Sequence, residues 1–290
     1  MTLSPFIKRT ITVAIGFPVV MLVVWFGDAL GGLPLIVICA ITSLVGLREL
    51  YLAFSKKDRA IHIIGYLATA AYFGMIFAVV NIEDVSWYWL LIALTVFIVT
   101  IQTCLVVFFK KLPISECITT IYGFLYVPFM LSFIVLVRMH DLGFYYVWLI
   151  FTATFGCDSF AYFVGSLFGK NKLKESPSPS KSVEGLIGGV IAATLIGAIY
   201  GLAVSHFSDY PENVQYMVLI SAVISFVGAL FSIVGDLAAS AVKRHCEIKD
   251  FGSVFPGHGG VMDRIDSTIV VAPMVYLVMN VMVGIMGVLQ

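Results

Sequence analysis

Charged residues are scarce in this sequence. Asp, Glu, Lys and Arg make up 12% of the 290 residues, whereas 60% are hydrophobic. A soluble domain carries about 25% charged residues, because polar side chains must cover its surface. The composition therefore excludes a soluble enzyme as the default, and the high apolar content excludes a disordered chain. The class that remains is an integral membrane protein.

Several common catalytic and ligand-binding motifs are missing too. The sequence has no GxxxxGK[ST] phosphate loop, no GxGxxG dinucleotide unit, no HExxH zinc motif and no GxSxG nucleophile. Its five cysteines include no CxxC pair, which argues against a zinc site and against a disulfide framework. Any chemistry must therefore depend on other residues.

Long apolar stretches dominate what is present. A helix needs about 20 mostly apolar residues to cross the hydrocarbon core of a membrane. We predict an all-α, polytopic transmembrane protein with about nine spans, the first of them retained rather than cleaved as a signal peptide. The predicted spans are 10–27, 33–54, 61–81, 87–109, 115–137, 144–168, 184–206, 214–242 and 267–289.

The basic residues sort to one side of these spans. All of them except Arg138 fall on the side that holds the N-terminus. Because positive charge stays in the cytoplasm, we predict a cytoplasmic N-terminus and an outer C-terminus. We divide the chain into an N-terminal transmembrane region, 1–137, with about five spans, and a C-terminal region, 138–290. The second region holds the cytoplasmic loops 170–183 and 243–266, so we expect it to be catalytic.

Two aspartates lie within or at the edge of predicted spans. Ionisable groups are costly there and usually face a cavity or a partner. Asp158 is followed by Tyr162 one helical turn later. A carboxyl group that only joins two helices by a hydrogen bond is the alternative for Asp158.

The second aspartate begins a polar helical face. Asp236, Ser240, Lys243 and Arg244 lie at i, i+4, i+7 and i+8, which places them on one side of a helix. A carboxylate followed by cations at the cytoplasmic surface is the arrangement that a metal ion and a bound phosphate would need.

The loop 243–266 is rich in glycine around His258. Glycine-rich backbone can turn its N–H groups toward an anion. Asp263 and Asp266 would share one face if a helix starts here, and their oxygen ligands suit Mg²⁺. A solvated loop with salt bridges is the alternative.

The loop 170–183 also has two interpretations. Its Ser, Pro and Lys residues are typical of a flexible linker. Alternatively, Ser180 or Ser182 caps the next helix, with Glu184 in its first turn. The N-terminus of that helix beside Lys181 would then be a phosphate site.

The run from Ser240 to Asp266, with Lys243-Arg244, the glycines around His258 and the acids Asp263 and Asp266, resembles a known signature. It is similar to the signature of the phosphatidate cytidylyltransferase family, also called CDP-diacylglycerol synthases. Two further blocks are similar to that family: Asp158 to Lys170, and Ser178 to Gly185, which has Ser182 and Val183 where Thr and Trp are commoner. The signature is matched at Ser240, Lys243, Arg244, Lys249, Asp250, Gly252, Phe255, Pro256, His258, Gly259, Gly260, Asp263, Arg264 and Asp266.

The resemblance implies a reaction between CTP and phosphatidic acid that gives CDP-diacylglycerol and pyrophosphate. It implies Mg²⁺, with a second cation as an option, and a helical fold with a polar cavity that faces the cytoplasm. Membrane lipids are expected partners and nucleic acid is not, because the basic residues are spread over loops beside the membrane. A homodimer is an open option. The expected location is a bacterial inner membrane.

The resemblance also implies roles for single residues. Asp236, Asp263 and Asp266 are the expected metal ligands, and Lys243, Arg244 and Arg264 are expected to bind phosphates. His258 is either a donor to pyrophosphate or a residue that structures the loop. The expected substrate-binding residues are Ser178, Lys181, Ser182, Asp158, Tyr162, Ser240, Lys249, Gly259 and Gly260.

Two other functions stay open at this point. A CTP-dependent lipid-alcohol kinase would also need membrane spans and a nucleotide site. An ion-coupled transporter would use Asp158 and Asp236 as ion sites, although transporters often show internal repeats, and no repeat is evident here.

Overall fold

The computed structural model describes residues 18–27, 29–55, 61–173, 176–207, 214–254 and 259–289. Within these ranges the chain is helical and forms no β-strand, and an isolated β-bridge joins Lys172 and Ser182. Residues 18–25 are helical at the beginning of the described chain. The all-α prediction is thus confirmed for this part of the sequence.

Ten further α-helices follow residues 18–25. They are α1 (Leu33–Ser55), α2 (His62–Asn81), α3 (Tyr88–Val107), α4 (Ile114–Phe124), α5 (Phe133–Arg138), α6 (Gly143–Phe151), α7 (Cys157–Phe168), α8 (Val183–Phe207), α9 (Val214–His245) and α10 (Met262–Leu289). Their apolar sequences favour helices in a membrane because a helix satisfies its own backbone hydrogen bonds there.

Eight helical segments among the described residues are long and apolar enough to cross a membrane. In this count α4 and α5 form one segment, Ile114–Arg138, and α6 and α7 form another, Gly143–Phe168. The eight segments correspond to the last eight predicted spans and differ from them mostly by one or two residues at each end. Of the predicted first span, 10–27, residues 10–17 lie outside the described residues and 18–25 are helical, so this span stays a prediction. The division into 1–137 and 138–290 stays a prediction.

Two of the spans are interrupted by a π-helical turn that the hydropathy pattern does not indicate. The turn Leu125–Phe129 joins α4 toward α5 and contains Pro128, which has no backbone N–H to donate. The turn Thr152–Gly156 joins α6 to α7, and the Thr154 hydroxyl donates to the Ile150 carbonyl there. π-helical turns often occur at functional sites, and the second one ends two residues before Asp158.

The chain forms two compact units. The first comprises the described parts of Met1–Val135 and Cys246–Arg264, and the second those of Leu136–His245 and Ile265–Gln290. In the first unit, Tyr51 on α1 is fully buried and donates a hydrogen bond to the Thr120 carbonyl at 3.0 Å. The ring of Tyr51 also stacks on His62 of α2, so the aromatic core joins α1, α2 and α4.

The second unit is organised around α8, which packs against α7 and α9. Glycines at the contact permit this close approach. A Cβ atom at Gly189 would lie 2.6 Å from the Cys157 carbonyl, and one at Gly201 would lie 2.7 Å from the Met217 carbonyl. Small residues at helix contacts are a common means of packing helices in membranes.

Candidate active site

An ion pair in the second unit joins two residues that the sequence singled out separately. The Lys181 Nζ atom lies 2.5 Å from Asp236 Oδ2, and the two side chains are 24% and 27% exposed. The sequence predicted a metal ligand and a phosphate-binding cation but did not predict that they pair. Each of the two charges therefore has a counter-charge within the protein.

Asp236 is brought close to a second carboxylate by its neighbour Gly235. A Cβ atom at Gly235 would lie 2.8 Å from the Asp266 carbonyl and 3.0 Å from Ser267 Cα, so only glycine permits this approach of α9 to α10. Asp266 interacts electrostatically with Asp236, with Lys243 and with Asp158. The close helix contact thus places a second carboxylate in the field of the first.

Asp158 belongs to the same cluster of charges. It interacts electrostatically with Lys181 and with Asp236. Five side chains of the second unit thus interact through their charges, and we call them the charged cluster. Its members are Asp158, Lys181, Asp236, Lys243 and Asp266.

The loop 170–183 holds Lys181 by backbone pairing. The Leu173 N–H donates to the Lys181 carbonyl at 3.0 Å, and the Val183 N–H donates to the Asn171 carbonyl at 2.9 Å. The Glu184 carboxylate accepts further hydrogen bonds from the N–H groups of Lys170 and Asn171. The described part of this loop is therefore hydrogen-bonded across its two arms, unlike a flexible linker.

Ser182 caps α8, as one of the two sequence alternatives predicted. Its Oγ accepts a hydrogen bond from the Gly185 N–H at 3.2 Å. The side chain is buried, and a Cβ atom at Gly169 would lie 2.6 Å from this oxygen. The direct substrate contact expected of Ser182 stays a prediction, whereas its capping role is observed.

The other residues predicted from the second unit take varied positions. Ser178 accepts a hydrogen bond from the Lys181 N–H at its carbonyl. Arg244 is exposed, and its Nε atom lies 3.5 Å from the Pro177 carbonyl of the same loop. Ser240 is half-buried on α9, and Tyr162 is 80% exposed on α7.

The glycine-rich loop belongs to the first unit, where its N–H groups face carboxylates of the protein. Asp263 Oδ2 accepts hydrogen bonds from the N–H groups of Phe251 and Gly260, at 2.9 and 3.0 Å. Gly259 has a φ of +81°, a conformation that favours glycine. The expected turning of loop N–H groups toward an anion is thus partly satisfied within the chain.

A residue that the sequence analysis missed completes this arrangement. Glu49 on α1 accepts hydrogen bonds from the N–H groups of Val261 and Met262. The only sequence signal is an acid within a long apolar span. Lys249 and Arg264 are exposed in the same unit, and His258 lies outside the described residues.

The carboxylates suit a hard cation, although they do not form a complete protein cage. Within the described ranges, no group of three or more His, Cys, Asp or Glu side chains could hold a metal ion. Mg²⁺ usually needs only one or two carboxylates, with substrate phosphates and water as its other ligands. Asp236 and Asp266 fit that requirement, while Asp263 lies in the first unit.

The fold and the charged cluster define a polytopic membrane protein with carboxylates and lysines gathered in one of its units. A comparison with protein families gives its class: the cytidylyltransferase family model matches residues 7–282. The chain therefore belongs to the cytidylyltransferase family, and it is an integral membrane protein.

Curated relatives make the comparison more specific. The chain is 38% identical over 147 residues to the phosphatidate cytidylyltransferase of Bacillus subtilis (strain 168). The matched residues cover 51% of this chain and 52% of that protein. The chain is 35% identical over 175 residues to the phosphatidate cytidylyltransferase of Thermotoga maritima, covering 59% and 63%. The matched region thus spans about half to three fifths of the length of these relatives.

Proposed function

We propose that this chain transfers the cytidylyl group of CTP to phosphatidic acid, giving CDP-diacylglycerol and pyrophosphate in phospholipid biosynthesis. The observation that carries the proposal is the charged cluster around the Lys181–Asp236 ion pair, in a chain of the cytidylyltransferase family. The names of the relatives favour this nucleotidyltransferase over a lipid-alcohol kinase or a transporter.

The reaction joins two anions, so the protein must mainly position them and offset their charge. A phosphate oxygen of phosphatidic acid attacks the α-phosphorus of CTP. A new P–O bond forms, and the bond from the α-phosphorus to the oxygen that bridges to the β-phosphate breaks. That oxygen keeps the electron pair and leaves with pyrophosphate.

Lysines of the charged cluster are suited to hold the phosphates. Lys181 contacts Asp236, and a triphosphate would offer it a second anion of higher charge. Lys243 lies in the same electrostatic network, and the exposed Arg244 follows it at the end of α9. Arginine can bind phosphate through two parallel hydrogen bonds. Phosphate binding by Arg264 and substrate binding by Lys249 stay predictions.

Mg²⁺ is part of this proposal. Asp236 and Asp266 would hold it, and Asp263 is proposed as a further ligand. When bound, the ion would neutralise phosphate charge at the reacting groups. A second cation, substrate binding by Asp158, and a proton-donor role of His258 stay predictions.

The proposed active site faces the cytoplasm of a bacterial inner membrane, with the N-terminus inside and the C-terminus outside. The support is the asymmetric distribution of basic residues, because loops rich in Lys and Arg stay in the cytoplasm. CTP is a cytoplasmic nucleotide, while the acyl chains of phosphatidic acid would remain among the membrane lipids. A homodimer is an expectation that the described structure leaves untested.

The test is a direct assay of the purified full-length chain in lipid nanodiscs. With CTP, Mg²⁺ and phosphatidic acid, we expect release of pyrophosphate and an equal amount of CDP-diacylglycerol by mass spectrometry. Replacing phosphatidic acid with a polyprenol should stop turnover. Phosphorylation of the polyprenol would instead favour the kinase, and no CTP turnover with either lipid would contradict the proposal.

A further inference from the structure

Glu49 is an acid in a membrane-spanning helix that the proposed chemistry does not use. Its residue is only 6% exposed, although ionisable groups are costly in such a segment. Its carboxylate accepts hydrogen bonds from the Val261 N–H at 3.1 Å and from the Met262 N–H at 2.8 Å. The partners lie more than 200 residues away in sequence, so this contact ties α1 to the glycine-rich loop.

These two N–H groups are at the beginning of a helix. Met262 is the first residue of α10. The first N–H groups of a helix have no partner within it, and the helix dipole favours a negative charge there. Glu49 therefore acts as an N-terminal cap that comes from a different helix. Because a protein carboxylate binds these N–H groups, they are closed to a substrate phosphate.

The loop is shaped around this carboxylate. A Cβ atom at Gly252 or at Gly260 would overlap with the Glu49 side chain, so a larger residue at either position would displace the Glu49 carboxylate. Gly252 and Gly260 belong to the run that resembles the family signature. The arrangement gives these two glycines a physical role, which is to make room for a buried acid from α1.

The anchored backbone leads directly to Asp263. Met262 precedes it, and Asp263 Oδ2 in turn accepts hydrogen bonds from the N–H groups of Phe251 and Gly260. Two carboxylates thus bind four N–H groups of the described part of the loop: Glu49 accepts from residues 261 and 262, and Asp263 accepts from residues 251 and 260. A shift of the helix start would move the Asp263 side chain with it.

We infer that Glu49 is a positioning residue for the transfer reaction. It fixes the N-terminus of α10 so that Asp263 is held ready for its role in the site. The inference rests on the proposed function, but the anchor itself can be measured without activity. Because Glu49 is assigned to hold the start of α10 and not to bind a substrate, its loss should lower kcat more than it raises KM.

The experiment compares E49Q and E49D with the wild-type chain and with E83Q as the matched control. Glu83 is an exposed acid that lies outside the loop and outside the helices. Hydrogen exchange is measured for peptides that cover residues 259–263, with α2 as an internal reference. Turnover of CTP with phosphatidic acid is measured on the same samples.

In E49Q the amide nitrogen cannot accept a hydrogen bond, so one of the two N–H groups loses its partner. We expect at least about tenfold faster exchange at 259–263, corresponding to a lost hydrogen bond to a charged group. We expect kcat to fall about 100-fold, the scale of a small misplacement, with KM for CTP within about threefold of wild type. E49D, which keeps the charge on a shorter side chain, should recover part of both effects.

Unchanged exchange at 259–263 in E49Q would overturn the anchor. Faster exchange with kcat within about twofold of wild type would overturn the positioning role, because the loop would then be loosened without consequence. An inactive wild-type chain would instead contradict the proposed function, and the exchange data would still decide whether Glu49 anchors the helix.

Discussion

The two polar loops of this protein hold their charges in different ways. In the loop 170–183, backbone hydrogen bonds between the two arms hold the loop conformation, and the Lys181 side chain pairs with Asp236. In the glycine-rich loop, the described contacts instead join loop N–H groups to the carboxylates of Glu49 and Asp263. A carboxylate bound by backbone N–H groups is fixed in place, whereas a carboxylate paired with a lysine can exchange that partner for a ligand.

The comparison predicts the largest loss of activity at the Lys181–Asp236 ion pair, because its members can exchange partners with a ligand. We expect D236N to lower kcat about 1000-fold, because an amide cannot offset the charge of a cation beside the phosphates. The charge swap K181D/D236K restores an ion pair of reversed polarity and should stay equally inactive. D84N, in an exposed turn, is the matched control. Pyrophosphate release is the measurement, and wild-type rates in the swap would show that the pair is only structural.

A smaller loss is expected when the approach of the two acids is blocked. G235A would place a Cβ atom 2.8 Å from the Asp266 carbonyl, so α9 and α10 must separate locally. We expect kcat to fall about 10- to 100-fold. Overpacking should also lower the free energy of unfolding by about 1–3 kcal/mol.

G284A is the control for this change, because Gly284 lies on α10, the other helix of this contact, and a Cβ atom there meets nothing within 4 Å. It should leave both quantities near wild type. If G235A behaves like G284A in turnover and in thermal unfolding, the close approach has no part in holding the charged cluster together.

Loosening the loop 170–183 should have a moderate effect. Glu184 accepts hydrogen bonds from the N–H groups of Lys170 and Asn171 and from the Asn171 side chain. E184Q should raise KM for CTP by about fivefold to tenfold, since a lost hydrogen bond changes an equilibrium by about that factor. Steady-state kinetics at varied CTP measure it. A change in kcat alone would mean that Glu184 acts on the chemistry and not on the loop.

The smallest effect is expected at the cap of α8. S182A removes the oxygen that accepts from the Gly185 N–H and should cost about 1 kcal/mol of stability. S182T, which keeps the hydroxyl, should retain more of it. Thermal unfolding in detergent distinguishes the two variants. Equal stability of S182A and wild type would leave substrate contact as the only role for this side chain.

The positions of the helices were largely predictable from the sequence. Apolar runs of about 20 residues predict spans because a membrane helix must be that long. The start of α10 at Met262 was also anticipated in part, since Asp263 and Asp266 were expected to share a face if a helix began there. The π-helical turns were not, because hydropathy is the same for an α-turn and a π-turn.

The sequence predicted which residues belong to the candidate site, but it did not predict the contacts between them. Asp158, Lys181, Asp236 and Asp266 were each singled out from the sequence, and the second unit brings them into one electrostatic network. Glu49 was missed because its partners are backbone N–H groups, which leave no trace in the side-chain pattern.

The sequence by itself determined the membrane class, the helical fold and the acids and lysines that matter. Each of these follows from local composition or from spacing along one helix. Only the tertiary structure decided that Lys181 pairs with Asp236, that Gly235 admits Asp266 beside it, and that Glu49 caps α10. Those contacts join segments 31 to 213 residues apart, as the positions of these residues and the Glu49–Met262 separation show, and they depend on which helices pack together.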